Sequence, residues 1–407
     1  MPGTFDMAAA NAALKELYGP QVLQEMMYTD NPAIAMMPKF EEAGGDVIPW
    51  PVVWAAGQGA SSNFAKAQAN QTAPKIASFL LTTKDDYQLA TIANKLVKAA
   101  ATDKMAFLRP MKLQMDGAML TLSNRTGGNM YRSGTGSIGK IATGGITSGV
   151  ITLDDPESVT QFERDMVLQA NATDGGASPR AAYGYVIAVD RQLGTVTVAS
   201  SGLGGAAGSP ASWTAGDFIL ADGDNNAKPT GLAGWIPTST PSSGESFFSV
   251  DRSVDTRLSG VRYDGSSLPP EEALKTLSKF ISREGGRTDA GFTNYTSYDA
   301  VEKSLGNKVQ YVDVSNGIVG FRGITIRGHK GDFDLFADRN CPGFLAYLLQ
   351  WNTWKMLSTG PVPFVFSMDG NTWLRVSNAD SMEVRLNAYY QFANNAPGWN
   401  GVVQLGA

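Results

Sequence analysis

The stretch Val47-Ile-Pro-Trp-Pro-Val-Val-Trp54 decides how this chain is read. Proline has no backbone N–H and a fixed φ, so Pro49 and Pro51 forbid a helix and suit an edge strand. Small and polar residues follow from Gly57 to Thr72, and a strand-like run returns over 76–87. Residues 44–90 thus predict a long hairpin with a flexible tip, carrying Trp50, Trp54 and Phe64 in exposed positions. A two-stranded hairpin alone is marginal in water. Its bulky apolar residues predict docking on a neighbouring molecule, unless the hairpin folds back on its own body.

Upstream, residues 1–43 read as an arm. An Ala-rich stretch over 6–18 places Leu14, Leu17 and Tyr18 on one helical face, and Gly19-Pro20 ends it. A second helical pattern carries Val22, Leu23, Met26 and Met27, and Asn31-Pro-Ala-Ile-Ala-Met-Met-Pro-Lys39 follows, bracketed by prolines. Short helices with little core of their own are stabilised by packing on something else. Leu14, Leu17, Tyr18, Trp50, Trp54 and Phe64 are therefore the candidate interface residues.

Downstream, 91–132 predicts a long helix. Met105, Leu108, Met111, Met115, Met119 and Leu122 recur at spacings of three or four. The methionines read as core, Pro110 as a kink or a first turn, and Gly127-Gly128 as the stop. Residues 133–235 are rich in Gly, Ser, Thr and Ala, with β-like runs at 150–153, 166–170, 183–189, 195–198 and 218–220. They predict a small β-barrel or sandwich inserted into the main fold. Residues 236–287 lead back and contain a helix over 270–284, with acidic residues at its start, basic ones near its end and Gly285 as its cap. Residues 288–380 contain a short helix over 298–305 and strands over 321–327 and 333–337. Within 381–407, the run 383–392 alternates Val384, Leu386, Ala388, Tyr390 and Phe392 with polar residues, which predicts a half-buried strand with one wet face.

Composition narrows the function. Charged residues are 17% of the 407, and 45 are glycine, with a net charge of −5. Typical soluble domains hold roughly 25% charged residues and about 7% Gly. The deficit of charge suits surfaces that partners cover. No Lys/Arg cluster marks a nucleic-acid reader. No apolar run approaches the roughly 20 residues of a membrane-spanning helix. No signal peptide is evident, and the lone Cys341 fits a cytoplasmic origin. A Ser-His-Asp triad would have to use the one histidine, His329, which sits in a basic, Gly-flanked turn. Asp222-Gly-Asp-Asn-Asn226 lacks the distal Glu of a calcium loop and reads as a turn. Gly202-Leu-Gly-Gly-Ala-Ala-Gly208 reads as a flexible loop and not as a phosphate cradle. Asp332 and Asp334 read as a solvated strand edge. No catalytic, cofactor or metal residues are assigned.

C-terminal stretches carry a resemblance: Phe336-Ala-Asp-Arg-Asn-Cys-Pro342, leading into Ala346-Tyr-Leu-Leu349 and Asn352-Thr-Trp-Lys355, then Asp369-Gly-Asn-Thr-Trp-Leu-Arg-Val376, then Asn394-Asn-Ala-Pro-Gly-Trp-Asn-Gly401; the run from Asn31-Pro32 to Pro38-Lys39 adds to it. With the order of arm, hairpin, long helix, β insertion and mixed C-terminal half, the chain resembles the tailed-phage major capsid proteins of HK97-type fold. The resemblance implies an α+β subunit with an N-arm, an E-loop, a P-domain with a spine helix, an A-domain and an inserted small β-barrel. It implies a non-enzyme that forms hexamers and pentamers of an icosahedral shell around double-stranded DNA, contacted non-specifically. Scaffolding, portal and decoration proteins are the further partners implied, with no membrane. Location would be the virion, after assembly in the host cytoplasm. On this mapping 47–87 is the E-loop, 102–126 the spine helix, 288–375 mostly the A-domain, and 383–403 returns to the P-domain. Some members carry a helical scaffolding region that is cut away. This chain starts with the arm, which implies a separate scaffolding protein or a region removed. Some members weld subunits through a Lys–Asn bond, but nothing around Lys66, Lys75, Asn394 or Asn395 licenses that carry-over. Two other readings stay open. A nanocompartment shell would share the fold but favour a compact chain without a large insertion. A β-rich hydrolase or carbohydrate-binding protein would need a cluster of carboxylates or histidines.

Overall fold

The computed structural model describes residues 18–45, 47–95, 104–306, 311–315, 320–367 and 371–406. Leu14, Leu17 and the rest of the stretch before Tyr18, for which a helix is expected, lie outside the described residues, as do the side chains of Met105 and Leu108.

Two sheets and a long helix build the body. The six-stranded sheet centres on Ser381–Asn394. That strand pairs along one side with Lys84–Ala93, and along the other with Trp354–Ser358, Phe364–Val365 and Leu374–Arg375. The seven-stranded sheet runs Val261–Gly265, Gly401–Leu405, Leu345–Leu349, Ala290–Thr293, Asp332–Ala337, Gly320–Arg327, Tyr311–Ser315. Alternate residues of this sheet face two cores. Phe292, Tyr347, Leu349 and Val402 join the main core. Leu335, Ala346, Leu348 and Val403 join a second core, under the helices Pro270–Arg283 and Tyr295–Leu305. Strand pairing thus cuts across the expected 380/381 boundary. Trp354–Ser358 joins the sheet of Ser381–Asn394, and Gly401–Leu405 joins the strands of residues 288–349.

The long helix spans Lys104–Tyr131 and buries Met111, Met115, Met119 and Leu122, so the described methionines of the stripe are core. It runs through Pro110 and through Gly127-Gly128, which do not stop it. The glycines serve packing instead. A Cβ on Gly127 would overlap the side chains of Asn31 and Asn340, and one on Gly128 would overlap Gln161.

The inserted module is a closed six-stranded barrel, in the order Phe218–Ala221, Ser137–Thr147, Val150–Leu153, Thr195–Ala199, Gly184–Asp190, Val167–Asn171. It has an apolar core of its own, including Ile141, Phe162, Leu168, Val186 and Ile219. Sequence patterning missed its first strand, which contains Gly139, Gly144 and Gly145. A Cβ on Gly139 would meet the Phe162 ring at 3.1 Å, a tight contact.

Three further expectations change. Residues 76–87 are two strands: Lys75–Leu81 pairs with Ile48–Ala55, and after Thr82-Thr83 the chain changes sheets. The hairpin tip carries one helical segment, Phe64–Ala69, whose Asn63 side chain accepts a hydrogen bond from the Lys66 amide. The run 383–392 has a wet face only at its start. Asn387 and Gln391 are buried, and Gln391 accepts from the Thr230 amide and donates to the Thr82 carbonyl.

Candidate assembly surface

The hairpin of Ile48–Ala55 and Lys75–Leu81 is anchored at its base and bare along its length. Val52, Phe79 and Leu81 are buried in the main core, with Ile48, Trp50 and Trp54 half-buried against it. Trp50 and Trp54, expected in exposed positions, therefore serve the chain's own packing. Pairs directly opposite in an antiparallel ladder share a face. The outer face pairs Pro49 with Leu80, Pro51 with Ser78 and Val53 with Ile76. On it Val53 is 66%, Ile76 63% and Leu80 42% exposed, and Phe64 at the tip is 82% exposed. Of the six candidate interface residues, only Phe64 is seen on this surface. Val53, Ile76 and Leu80 were missed because alternation along each strand does not say which face lacks a partner.

Aromatic rings hold the hairpin base. Trp235 meets Phe79, Phe247 and Phe248 with ring centroids 5.1, 5.2 and 5.8 Å away. Phe247 and Phe248 lie on the small hairpin of Ser246–Phe247 and Val250–Asp251, whose turn puts Phe248 and Ser249 at φ 47° and 69°. The Phe248 carbonyl accepts the Leu80 amide at 3.0 Å.

The arm did not keep to its expectation. Its helices Pro20–Tyr28 and Pro32–Met36 lie in the chain's own core, with Leu23, Met27, Tyr28, Ala33, Ile34 and Ala35 buried. Tyr18, a candidate for intermolecular contact, is buried and donates to Asp116 Oδ1 of the long helix at 2.7 Å. Asn31 is the pin. Its amide donates to the Met27 carbonyl at 2.7 Å and to Ser123 Oγ at 2.9 Å, and its Oδ1 accepts from Asn340 at 2.7 Å. Asn340 in turn accepts from Gln161 at 2.8 Å. Four distant segments meet in this chain of amides, over the bare backbone of Gly127 and Gly128. Beside it lies Asp338, which accepts from Tyr131 Oη at 2.8 Å and from the Asn340 amide at 2.9 Å. Burial raises its carboxyl to about 6, against the pull of these donors.

The polar residues singled out for chemistry are scattered. His329 is exposed on the turn between Gly320–Arg327 and Asp332–Ala337. Asp334 accepts from Thr325 at 2.9 Å. Asn394 is fully buried, and its Oδ1 accepts the Ala396 amide. Asp224, in the turn 222–226, belongs to a charge cluster. Arg125 reaches Asp86 at 3.1 Å and Asp224 at 2.9 Å, and Lys228 reaches the same two at 3.0 and 3.1 Å. Burial alone would lower Arg125, but the two carboxylates hold it above its ordinary value.

No family model matches the chain, and no curated protein matches it in sequence. In structure it is similar to the subunit of the cyanophage A-1(L) capsid, at TM-score 0.53 and 12% identity over 92% of each chain. It is also similar to the capsid of a native GTA particle, at TM-score 0.45 and 7% identity over 92% of this chain and 90% of that one. An encapsulin from Synechococcus elongatus aligns at TM-score 0.45 and 8% identity over 97% of this chain and 94% of that one. The first likeness covers nearly the whole molecule and establishes the fold: an HK97-type capsid fold of α+β class with a small barrel set into it.

Proposed function

We propose that this chain is the major capsid protein of a tailed bacteriophage. It assembles into hexamers and pentamers of an icosahedral shell around double-stranded DNA, and it works as a structural protein rather than an enzyme. The observation that carries the reading is the hairpin's outer face, with Val53, Ile76, Leu80 and Phe64 exposed and uncovered. Fully covering such side chains contributes about 1.5–3 kcal/mol each. One hairpin per subunit, docked on the next subunit, gives a head-to-tail contact, and such contacts close into rings. The hairpin acts as the E-loop. The long helix with the six-stranded sheet acts as the P-domain, and the seven-stranded sheet with its helices as the A-domain. Because the described part of the arm is folded on its own body, the hairpin bears most of the association. The large inserted barrel favours a phage shell over a nanocompartment. Scaffolding, portal and decoration proteins would be its further partners, and its assembly would take place in the host cytoplasm.

Negative-stain microscopy of the purified protein tests this. Icosahedral particles or six- and five-membered rings are expected, and nucleic acid inside particles made during infection separates a virion from a nanocompartment. A monodisperse monomer under all assembly conditions would sink the reading.

A further inference from the structure

We propose that the barrel is a hinged module: it pivots as a rigid body on two paired linkers, and the charge cluster of Asp86, Arg125, Asp224 and Lys228 is the clasp that holds it seated. The inference does not depend on the shell reading. Five observations carry it.

The barrel's apolar core is separate from the two cores of the body. What joins barrel to body is polar. At the crossings Lys84 donates to the Asn226 carbonyl at 3.4 Å and Arg132 to the Ile138 carbonyl at 2.8 Å. Away from them, Gln161 donates to Asn340, the Gly343 amide donates to Asp155 at 2.9 Å, and Thr296 donates to Glu157 at 2.6 Å. All three come from the single turn Asp155–Gln161. The seam is also open. A cleft of about 440 Å³ lies on one side, between Lys140, Asp154 and Phe218 of the barrel and Leu345 and Tyr347 of the body. Another of about 480 Å³ lies on the other side, between Met166 and Val167 and the helix residues Thr121 and Asn124. Polar, partly hydrated interfaces between domains permit relative motion, whereas merged apolar cores do not.

The two crossings are built as a hinge. The incoming linker holds Gly134 and Gly136 at φ +90° and +88°, and the outgoing one holds Gly223 at +83° and Asn226 at +56°. The linkers touch: a Cβ on Gly136 would overlap the Asp224 carbonyl, and one on Gly134 would lie 2.6 Å from Thr230 Oγ1. Both crossings lie side by side, because Leu220 pairs with Ser137 across adjacent strands. A rotation about this one place therefore moves the whole barrel without breaking a strand ladder.

The clasp pins the outgoing linker of that hinge to the body. Asp224 and Lys228 lie on the outgoing linker, Arg125 on the long helix and Asp86 on the strand Lys84–Ala93. Asp86 and Lys228 are almost fully buried, and without Asp224 the two cations Arg125 and Lys228 would share Asp86 alone, so one positive charge is left uncompensated and the seat opens.

Hydrogen exchange on the full-length chain, wild type against Asp224→Asn, is the test. In the variant, amides of 132–136 and 222–230 should exchange at least tenfold faster. Those of the barrel strands and of Lys84–Ala93 and Ser381–Asn394 should keep their rates. Unchanged linkers, or barrel and body losing protection together, would overturn the hinge. If the variant does not fold, Asp224→Glu, which keeps the charge but displaces it, is compared with the wild type in the same way. Faster exchange confined to 132–136 and 222–230 is expected. Linkers at wild-type rates, or barrel and body losing protection together, overturn the hinge.

Discussion

Gly127 and Gly128 sit inside a helix, where each glycine costs about 1 kcal/mol relative to alanine. They stand there because Asn31, Asn340 and Gln161 occupy the space a Cβ would take. Gly127→Ala should therefore destabilise the chain by about 1–3 kcal/mol despite its better helix propensity. Urea unfolding measures this, and the combination with Asn31→Ala should cost less than the sum of the two. Additive losses would mean that the contact is not the cause. Asp338 gives a second prediction, in pH. An unfolded Asp titrates near 3.9, whereas the buried one is raised to about 6. Below about pH 4 both states hold the proton. Between 4 and 6 the folded chain keeps a proton that the unfolded chain has released, so stability falls as pH rises; above about 6 the loss is complete. Asp338→Asn should remove this slope, and the variant should gain on the wild type by on the order of 2 kcal/mol between pH 4 and 7. A constant difference in unfolding free energy across that range would disprove the assignment. Neither residue was legible in the sequence. A Gly-Gly pair signals a helix end until the side chains that press on it are known, and a buried carboxylate looks like any other.

The hairpin was legible as an element because two prolines in an apolar run leave few other conformations. What could not be read was its partition. The break at Thr82-Thr83 depends on Gln391, more than 300 residues away, capturing the Thr82 carbonyl. Likewise the polar face of Ser381–Asn394 looks wet until the Thr230 amide covers Gln391. The outer face of the hairpin gives the element's prediction. Val53 and Ile76 are directly opposite, so Val53→Lys with Ile76→Glu replaces an apolar pair by an opposite-charge pair, which such ladders accept. The double variant should keep the subunit's melting temperature within about 3 °C, since both side chains are exposed and surface changes are small in energy. Particles or rings should disappear from micrographs and from sedimentation profiles. Wild-type assembly by this variant would remove the hairpin from the interface.

At the scale of the whole molecule the chain is a body of two sheets with a plug-in barrel, and the sequence pattern marked the barrel by composition more than by period. Its glycines, at sites such as Gly139 under the Phe162 ring, hid one strand and yet announced the module. Because Leu220 and Ser137 are cross-strand neighbours, their Cα atoms are about 5 Å apart, and two glycines can bridge them. Excising 138–219 leaves both body cores untouched, since no residue of the barrel core belongs to either. It also leaves Asp224, Lys228, Arg125 and Asp86 in place, so that cluster keeps its pairs, while Arg132 exchanges the Ile138 carbonyl for solvent. It does remove the turn 155–161, and with it the partners of the Asn340 side-chain oxygen, the Gly343 amide and the Thr296 hydroxyl, at a cost of about 1 kcal/mol each. The excised chain should therefore fold, with a single cooperative urea transition and near-native aromatic circular dichroism. An unfolded or molten product would show that the barrel is part of the body's folding unit. A folded product that no longer makes particles would place the barrel's work between subunits. One that still makes them would leave the hairpin and the two sheets as sufficient for the shell.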